Sequence, residues 1–225
     1  MEKIFFNIKA ILRKIPTPIY LFGICILTYG VLAPWLGFYL DDWYIVLYQK
    51  YFGAHDFSKF FAQDRPFFGY VYQVFVPIFK DSQLGWQLFA VFSHALSVIC
   101  FWWLLRKMIP NKNRLVLMAA MFFAVYPGFQ MHWFAVMYSQ VFVLLAVYFL
   151  SFVMMIESLN NIKWRIPLLI GGLVCLIVGV VPQETFFGIE FIRPILIWVV
   201  LNRRNDGRQN CIKETFLNWL PYLVV

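Results

Sequence analysis

Charge is what this sequence has least of. Asp, Glu, Lys and Arg together make up 13% of its 225 residues, about half the share in an average soluble domain. The shortage is concentrated. Residues 16–40 carry none of the four, residues 82–105 carry none, and residues 115–156 carry none for 42 positions. A bilayer core of ~30 Å needs about 20 residues of helix at ~1.5 Å each. The first two stretches can each cross once and the third can cross twice. No soluble fold of this size buries four such segments, which excludes a soluble globular domain.

Other absences narrow the reading further. No small-x-small site closes the first apolar run, which is far longer than a secretory h-region and ends in Leu40-Asp41-Asp42-Trp43; it reads as a retained anchor. There is no short-period repeat and no low-complexity tract. Cysteine is sparse. Cys25, Cys100 and Cys175 lie in apolar runs and Cys211 in a basic stretch, with no pair at metal-ligand spacing, so they read as small packing residues. The formal net charge of +8 would suit nucleic acid in a soluble protein. In a membrane protein it marks cytoplasmic loops and contact with anionic lipid, so the expected partner is the lipid bilayer and not nucleic acid.

What is present gives an all-α, polytopic transmembrane bundle of about six to seven helices. Lys3, Lys9, Arg13 and Lys14 precede helix 1 (18–38), which places the N-terminus in the cytoplasm of a multi-pass plasma (inner) membrane protein. Arg106, Lys107, Lys112 and Arg114 form the next basic cluster, so an odd number of crossings separates residue 40 from residue 106. The run 67–79 is too short to cross and contains Pro77; it is expected to lie on the outer surface as a juxtamembrane helix. Helix 2 then covers 86–105. Helix 3 leaves from Arg114 and breaks near Pro127-Gly128, helix 4 covers 139–156, helix 5 166–181 and helix 6 186–201, and a seventh starts near Phe216. Asp41, Asp42, Asp56, Asp64, Asp81 and Glu184 fall outside. The apolar segment from residue 218 to the last residue reads as a crossing cut short, as in the N-terminal part of a longer chain.

Several polar positions can carry chemistry. Asp41-Asp42 sits where helix 1 reaches the outer interface. It reads either as a polar stop with an aromatic belt (Trp43, Tyr44, Tyr48) or as a general base or divalent-metal ligand. Neighbouring side chains diverge by about 100° on a helix, so one of the two is expected to act. Arg65 suits a lipid-linked phosphate, or else a local salt bridge to Asp64 or Asp56. Glu190 and Arg193, spaced i,i+3 within helix 6, read as an internal ion pair. His94 in helix 2 can bond a neighbouring helix or serve a site. His132 and Glu184 face the same side as the aspartates; the stretch around Glu184 also suits a helix N-cap. Gly171, Cys175 and Gly179 form a small-residue packing stripe.

On these residues the chain resembles the C-type (GT-C) superfamily of integral membrane glycosyltransferases, relatives of which include protein O-mannosyltransferases, the aminoarabinose transferase of lipid A and oligosaccharyltransferase catalytic subunits. The matching pattern is a cytoplasmic N-terminus, one helix, an outer loop opening on Asp41-Asp42, a proline-bearing juxtamembrane helix from Arg65-Pro66, a break at Tyr126-Pro127 and an acidic position at Glu184. It departs at His94, where many relatives carry Arg, and the C-terminal half of such enzymes lies outside this sequence. The resemblance implies transfer of a sugar from a polyprenyl-phosphate carrier to an acceptor on the outer face. Asp41 or Asp42 would be the catalytic base or a metal ligand, since some relatives use a divalent cation and others do not. Arg65, Glu184, His132 and His94 would be substrate-binding residues. The competing class is a non-enzymatic transporter or lipid flippase of envelope polysaccharide assembly, with Glu190, Arg193 and His94 lining a path.

Overall fold

The computed structural model describes residues 16–126, 132–203 and 208–224. The basic N-terminal residues Lys3 to Lys14, the Pro127-Gly128 break and Arg204 fall outside the described residues. Every regular element among the described residues is helical.

In chain order these are α1 (Thr17–Cys25), α2 (Asp41–Phe52), α3 (Phe68–Phe79), α4 (Gln83–Met108), α5 (Asn113–Ala124), α6 (Ala135–Asn160), α7 (Arg165–Val180), α8 (Arg193–Asn202) and α9 (Arg208–Leu223), with short 3-10 and π turns between some of them. Four helical stretches are long and apolar enough to cross a membrane: Thr17–Trp35, Gln83–Met108, Ala135–Asn160 and Ile162–Val180. Three of them fall in the charge-free runs and the fourth where a crossing was expected over 166–181; the chain is a membrane protein built as a helical bundle.

The expected six to seven crossings divide into these four and several shorter pieces. α5, expected as the third crossing, is 12 residues, about 18 Å of helix against the ~30 Å of a bilayer core, so the run 115–156 holds one crossing-length helix and not two; α3, expected as a surface helix, is also 12 residues. The segment expected as one helix over 186–201 is two: a 3-10 stretch, Glu184–Ile192, and then the ten-residue α8. Prolines explain the split. Pro182 precedes the first piece and Pro194 opens the second, and neither can donate the N–H that a continuous α-helix would need.

α6 is the centre of the bundle. Of its apolar window 72% is buried inside the protein, against 17% for the windows of α1 and α7, which present side chains such as Leu27 and Ile166 outward as a lipid-facing surface does. Helices in lipid gain little from apolar burial alone, so close packing of small residues holds them together. α7 meets α6 through Gly171, Gly172 and Gly179, and Cys175 Sγ reaches Met154 Sδ at 4.0 Å. Ser151 Oγ donates to Gly172 O at 2.8 Å, a cross-helix bond in the membrane-spanning part. A second, smaller core joins α1, α4 and α5 through Leu21, Cys25, Ala95, Val98, Ala120 and Ala124.

One end of the bundle is closed by α2, α3 and the turns Ala54–Asp56 and Phe57–Phe60 between them. Rings hold this cap: Tyr72 stacks on Phe61 at 5.0 Å and packs on Phe57 at 5.5 Å, and Phe79 stacks on Phe89 of α4 at 4.7 Å. Gly69 lets two backbones touch, since a Cβ there would lie 2.4 Å from Phe57 O.

Gly179 makes the same point within the membrane. A Cβ would sit 2.9 Å from Tyr148 Cβ and 3.2 Å from Leu144 O. Gly179→Ala should force α6 and α7 apart at a cost of about 1–3 kcal/mol, whereas Gly23→Ala, which meets nothing within 4 Å, should be neutral or stabilising. Thermal unfolding of the two variants in detergent checks this; equal melting temperatures would refute the packing account.

Candidate active site

The two adjacent aspartates have opposite fates. Asp41 is exposed, and Asp42 is fully buried. Leu40, immediately before them, has φ 41° and ψ −110°, a conformation that a residue with a Cβ adopts at a cost. That turn starts α2 with Asp42 facing inward.

Inside, the Asp42 carboxylate meets the first turn of α6. Its Oδ1 accepts from the backbone N–H of Val136 at 3.1 Å and of Met137 at 3.2 Å. These amides have no partner within their own helix, and they carry the positive end of a 26-residue helix dipole. Oδ2, equally buried, has no hydrogen-bond partner among the described residues. Burial pushes the Asp42 carboxyl up to about 7, against the lowering effect of the Met137, Val136, Ala135 and Tyr39 backbone groups. The outcome is a buried carboxyl near neutrality, with one oxygen bound by two amides and one unpartnered among the described residues.

Gln87 completes the junction. It is buried on α4, and its Nε2 donates both to Gly37 O at 3.0 Å and to Trp133 O at 3.1 Å. One side chain therefore ties the end of the first crossing to the start of α6. Gln140 lies one helical turn beyond Val136, fully buried, and neither of its amide atoms has a hydrogen-bond partner among the described residues.

Tyr72 of α3, and Arg65 shortly before that helix, belong to the same end of the bundle as Asp42. The Tyr72 hydroxyl is within electrostatic reach of Asp42, Arg65 and Asp41, and burial, aided by the Asp42 charge, raises its pKa well above the usual phenol range. Among the described residues Tyr72 Oη and Arg65 Nε, both buried, have no hydrogen-bond partner; Arg65 Nε stands 4.0 Å from the Asp64 carboxylate. A carboxylate oxygen, a phenol and a guanidinium N–H at this end of the bundle thus lack a hydrogen-bond partner among the described residues. Buried polar groups in this state call for water or a ligand.

The histidines form a separate cluster beneath the loop before α6. His132 stacks on Tyr29 at 4.3 Å and lies 5.2 Å from the His94 ring, and His94 stacks on Phe142 at 4.5 Å. Both rings are buried. Burial holds His132 down to about 4, so it is neutral at pH 7. The part of this loop at 127–131 lies outside the described residues.

Glu184 is not brought to Asp42. It is exposed at the start of the 3-10 stretch, and its neighbour Phe186 stacks on Tyr148 at 5.9 Å, about 18 Å along α6 from the Val136 amide. Gln183 is the buried residue there, with its Nε2 on Thr185 Oγ1 at 2.8 Å. Among the described residues no three of His, Cys, Asp and Glu converge as metal ligands. Asp42 offers a single open oxygen, so these residues alone do not make a divalent-cation site.

Glu190 and Arg193 form the expected ion pair. Arg193 Nε and Nη2 bind Glu190 Oε2 at 2.6 Å and Oε1 at 2.7 Å. The fully buried guanidinium also donates to Ser151 Oγ at 3.1 Å and lies over the Phe152 and Tyr222 rings at 4.2 and 4.3 Å. It staples α8 and α9 to the middle of α6.

Sequence reasoning missed Gln87, Gln140 and Tyr72. The two glutamines were visible as amides inside charge-free runs; a search confined to ionisable groups passes over them. Tyr72 had no signal, being one aromatic among many. Comparison with family models, curated proteins and solved structures returns no match to this chain.

The two buried titrating groups pull stability in opposite directions with pH. Asp42 binds its proton more tightly when folded, so its contribution falls as pH rises from the unfolded value of 3.8 to about 7. His132 binds its proton less tightly when folded, so its contribution rises from about pH 4 to 6.5. Asp42→Asn leaves only the second effect. The melting temperature of the variant relative to the natural protein should therefore increase from pH 5 to pH 8; a constant difference would show that Asp42 does not titrate in that range.

Proposed function

We propose that this chain is a membrane glycosyltransferase of GT-C type, moving a sugar from a polyprenyl-phosphate carrier to an acceptor on the outer face of the membrane. In this reading the Asp42 end of the bundle faces outward, and the end carrying Arg106 and Lys107 faces the cytoplasm of the plasma (inner) membrane. The distribution of basic residues supports that orientation.

One observation carries the reading. Asp42 is a buried carboxyl poised near neutrality, with one oxygen fixed by two helix N-terminal amides and the other without a hydrogen-bond partner among the described residues, and the Tyr72 hydroxyl lies within electrostatic reach of both Asp42 and Arg65. A general base works best with a pKa near the operating pH. Asp42 Oδ2 takes the proton of the acceptor hydroxyl as the acceptor oxygen bonds to the sugar anomeric carbon. The bond from that carbon to the carrier phosphate oxygen breaks, and the phosphate leaves with its electron pair. Arg65 is placed to neutralise the phosphate, and Tyr72 to donate to one of its oxygens. The amides of Val136 and Met137 fix the carboxylate so that only one oxygen is available, an ordering that positions base and acceptor together. His94 and His132 serve as the packed wall beneath this site. Glu184, standing apart, is assigned no step.

The competing transporter reading requires Glu190 and Arg193 to be available to a passing solute. Arg193 is instead fully engaged by Glu190, Ser151, Phe152 and Tyr222. That gives such a path no support.

Transfer from a polyprenyl-phosphate sugar, assayed with the protein in membranes, tests the assignment. Asp42→Asn should lower the rate by at least about 100-fold with the protein still inserted and folded, and Asp41→Asn should retain most of it. Full activity in the Asp42 variant would remove the catalytic role.

A further inference from the structure

The opposite end of the bundle carries two adjoining cavities that the proposed transfer does not use. The first, of about 840 Å³, lies where α1, α4, α5 and α6 meet, and its wall includes Trp102, Trp103, Arg106, Lys107, Asn113 and Asn160. The second, of about 400 Å³, is a groove between α4, α6 and α7, lined mainly by Leu150, Val153, Met154, Pro167 and Leu168. Trp103 borders both, and it is 40% exposed on the lipid-facing side of α4. Trp103 therefore stands between a polar chamber and a mainly apolar slot.

The charges of the polar chamber leave a residue of one. Lys107 pairs with Glu157 across α4 and α6. Arg106 lies over the Trp102 ring at 5.4 Å, and among the described residues no carboxylate pairs with it. Trp102 is thus a flat seat beneath the guanidinium of Arg106, which lines the chamber. The side-chain amides of Asn113 and Asn160 add neutral donors. Arg106 sits in the last turn of α4 and Asn160 at the end of α6, so the chamber is at the depth where lipid headgroups lie, and tryptophans at that depth are usual.

We propose that this pair of cavities binds one anionic phospholipid, its phosphodiester on Arg106 in the polar chamber and one acyl chain in the groove between α6 and α7. A single uncompensated cation matches the single charge of a phosphodiester. The adjoining apolar slot is what separates a lipid from a free phosphate, for which it would have no use. The bound lipid fills the gap beside Met154, the residue against which Gly171 and Cys175 of α7 pack, and so supports the α6–α7 contact from the side.

Native mass spectrometry of the full chain released from detergent, with dioleoyl phosphatidylglycerol or dioleoyl phosphatidylcholine added, tests this without any sugar transfer. One phosphatidylglycerol should be retained with about a tenfold preference, equivalent to about 1.4 kcal/mol. Arg106→Gln should abolish the preference and Arg106→Lys should keep most of it. Leu168→Trp, which fills the groove and changes no charge, should reduce retention of the lipid. Equal retention of the two lipids by the natural protein, or an unchanged preference in Arg106→Gln, would overturn the headgroup assignment. Displacement of the lipid by sodium phosphate at equal concentration would show a free-anion site and overturn the lipid assignment.

Discussion

A carboxylate placed against the first turn of a long helix organises this molecule. Asp42 Oδ1 takes the amides of Val136 and Met137, groups that a helix start in an apolar setting cannot leave unpaired. Through that contact α2 is fastened to α6, and α6 is the helix against which most of the bundle packs. Gln87 adds a second tie at the same place, joining Gly37 to Trp133. Remove Asp42 and the start of α6 loses its acceptor, α2 its anchor, and the aromatic cap its fixed position over the bundle. The same carboxylate is costly to bury, and that cost is visible as a pKa near 7. Structural need and chemical readiness come from one desolvated group.

The middle of the bundle follows a different rule. Arg193 is fully buried, yet the Glu190 fork and two rings surround it. An isolated charge there would be prohibitive; a bidentate pair with further donors satisfied is tolerated. It holds the short α8 and α9 to α6 at the level where prolines have interrupted the expected sixth crossing. The glycines of α7 do the complementary task by close approach. A polar staple and a smooth seam thus fix the two sides of α6.

Much of the fold was legible because a bilayer demands long uncharged segments. The runs 16–40, 82–105 and 115–156 located three of the four long helices; the second crossing expected within 115–156 is the short α5, and the fourth long helix, Ile162–Val180, lies where a crossing was expected over 166–181. Pro77 with the shortness of 67–79 marked α3 as a non-crossing helix. The Glu190–Arg193 pair could be read from i,i+3 spacing. The interruption at 184–192 was missed although Pro182 and Pro194 were in view, because apolar composition was allowed to outweigh backbone chemistry. At the site, sequence could say that one of Asp41 and Asp42 turns inward but not which. That choice depends on the turn at Leu40 and on where the α6 amides stand, both products of tertiary packing. It could not show that Glu184 stays near Tyr148 rather than joining the aspartates, since shared topology is not proximity.

The central claim is that Asp42 is a buried carboxyl that exchanges its proton near neutral pH with one oxygen open. Infrared difference spectra between pH 5 and pH 9, with the Asp42→Asn protein as the blank, follow the protonated carboxyl band of this one residue. The account predicts a band that disappears with a midpoint near pH 7. A midpoint at the ordinary carboxylate value would mean that Asp42 is a solvated or fully paired helix cap, and the site built on it would not stand.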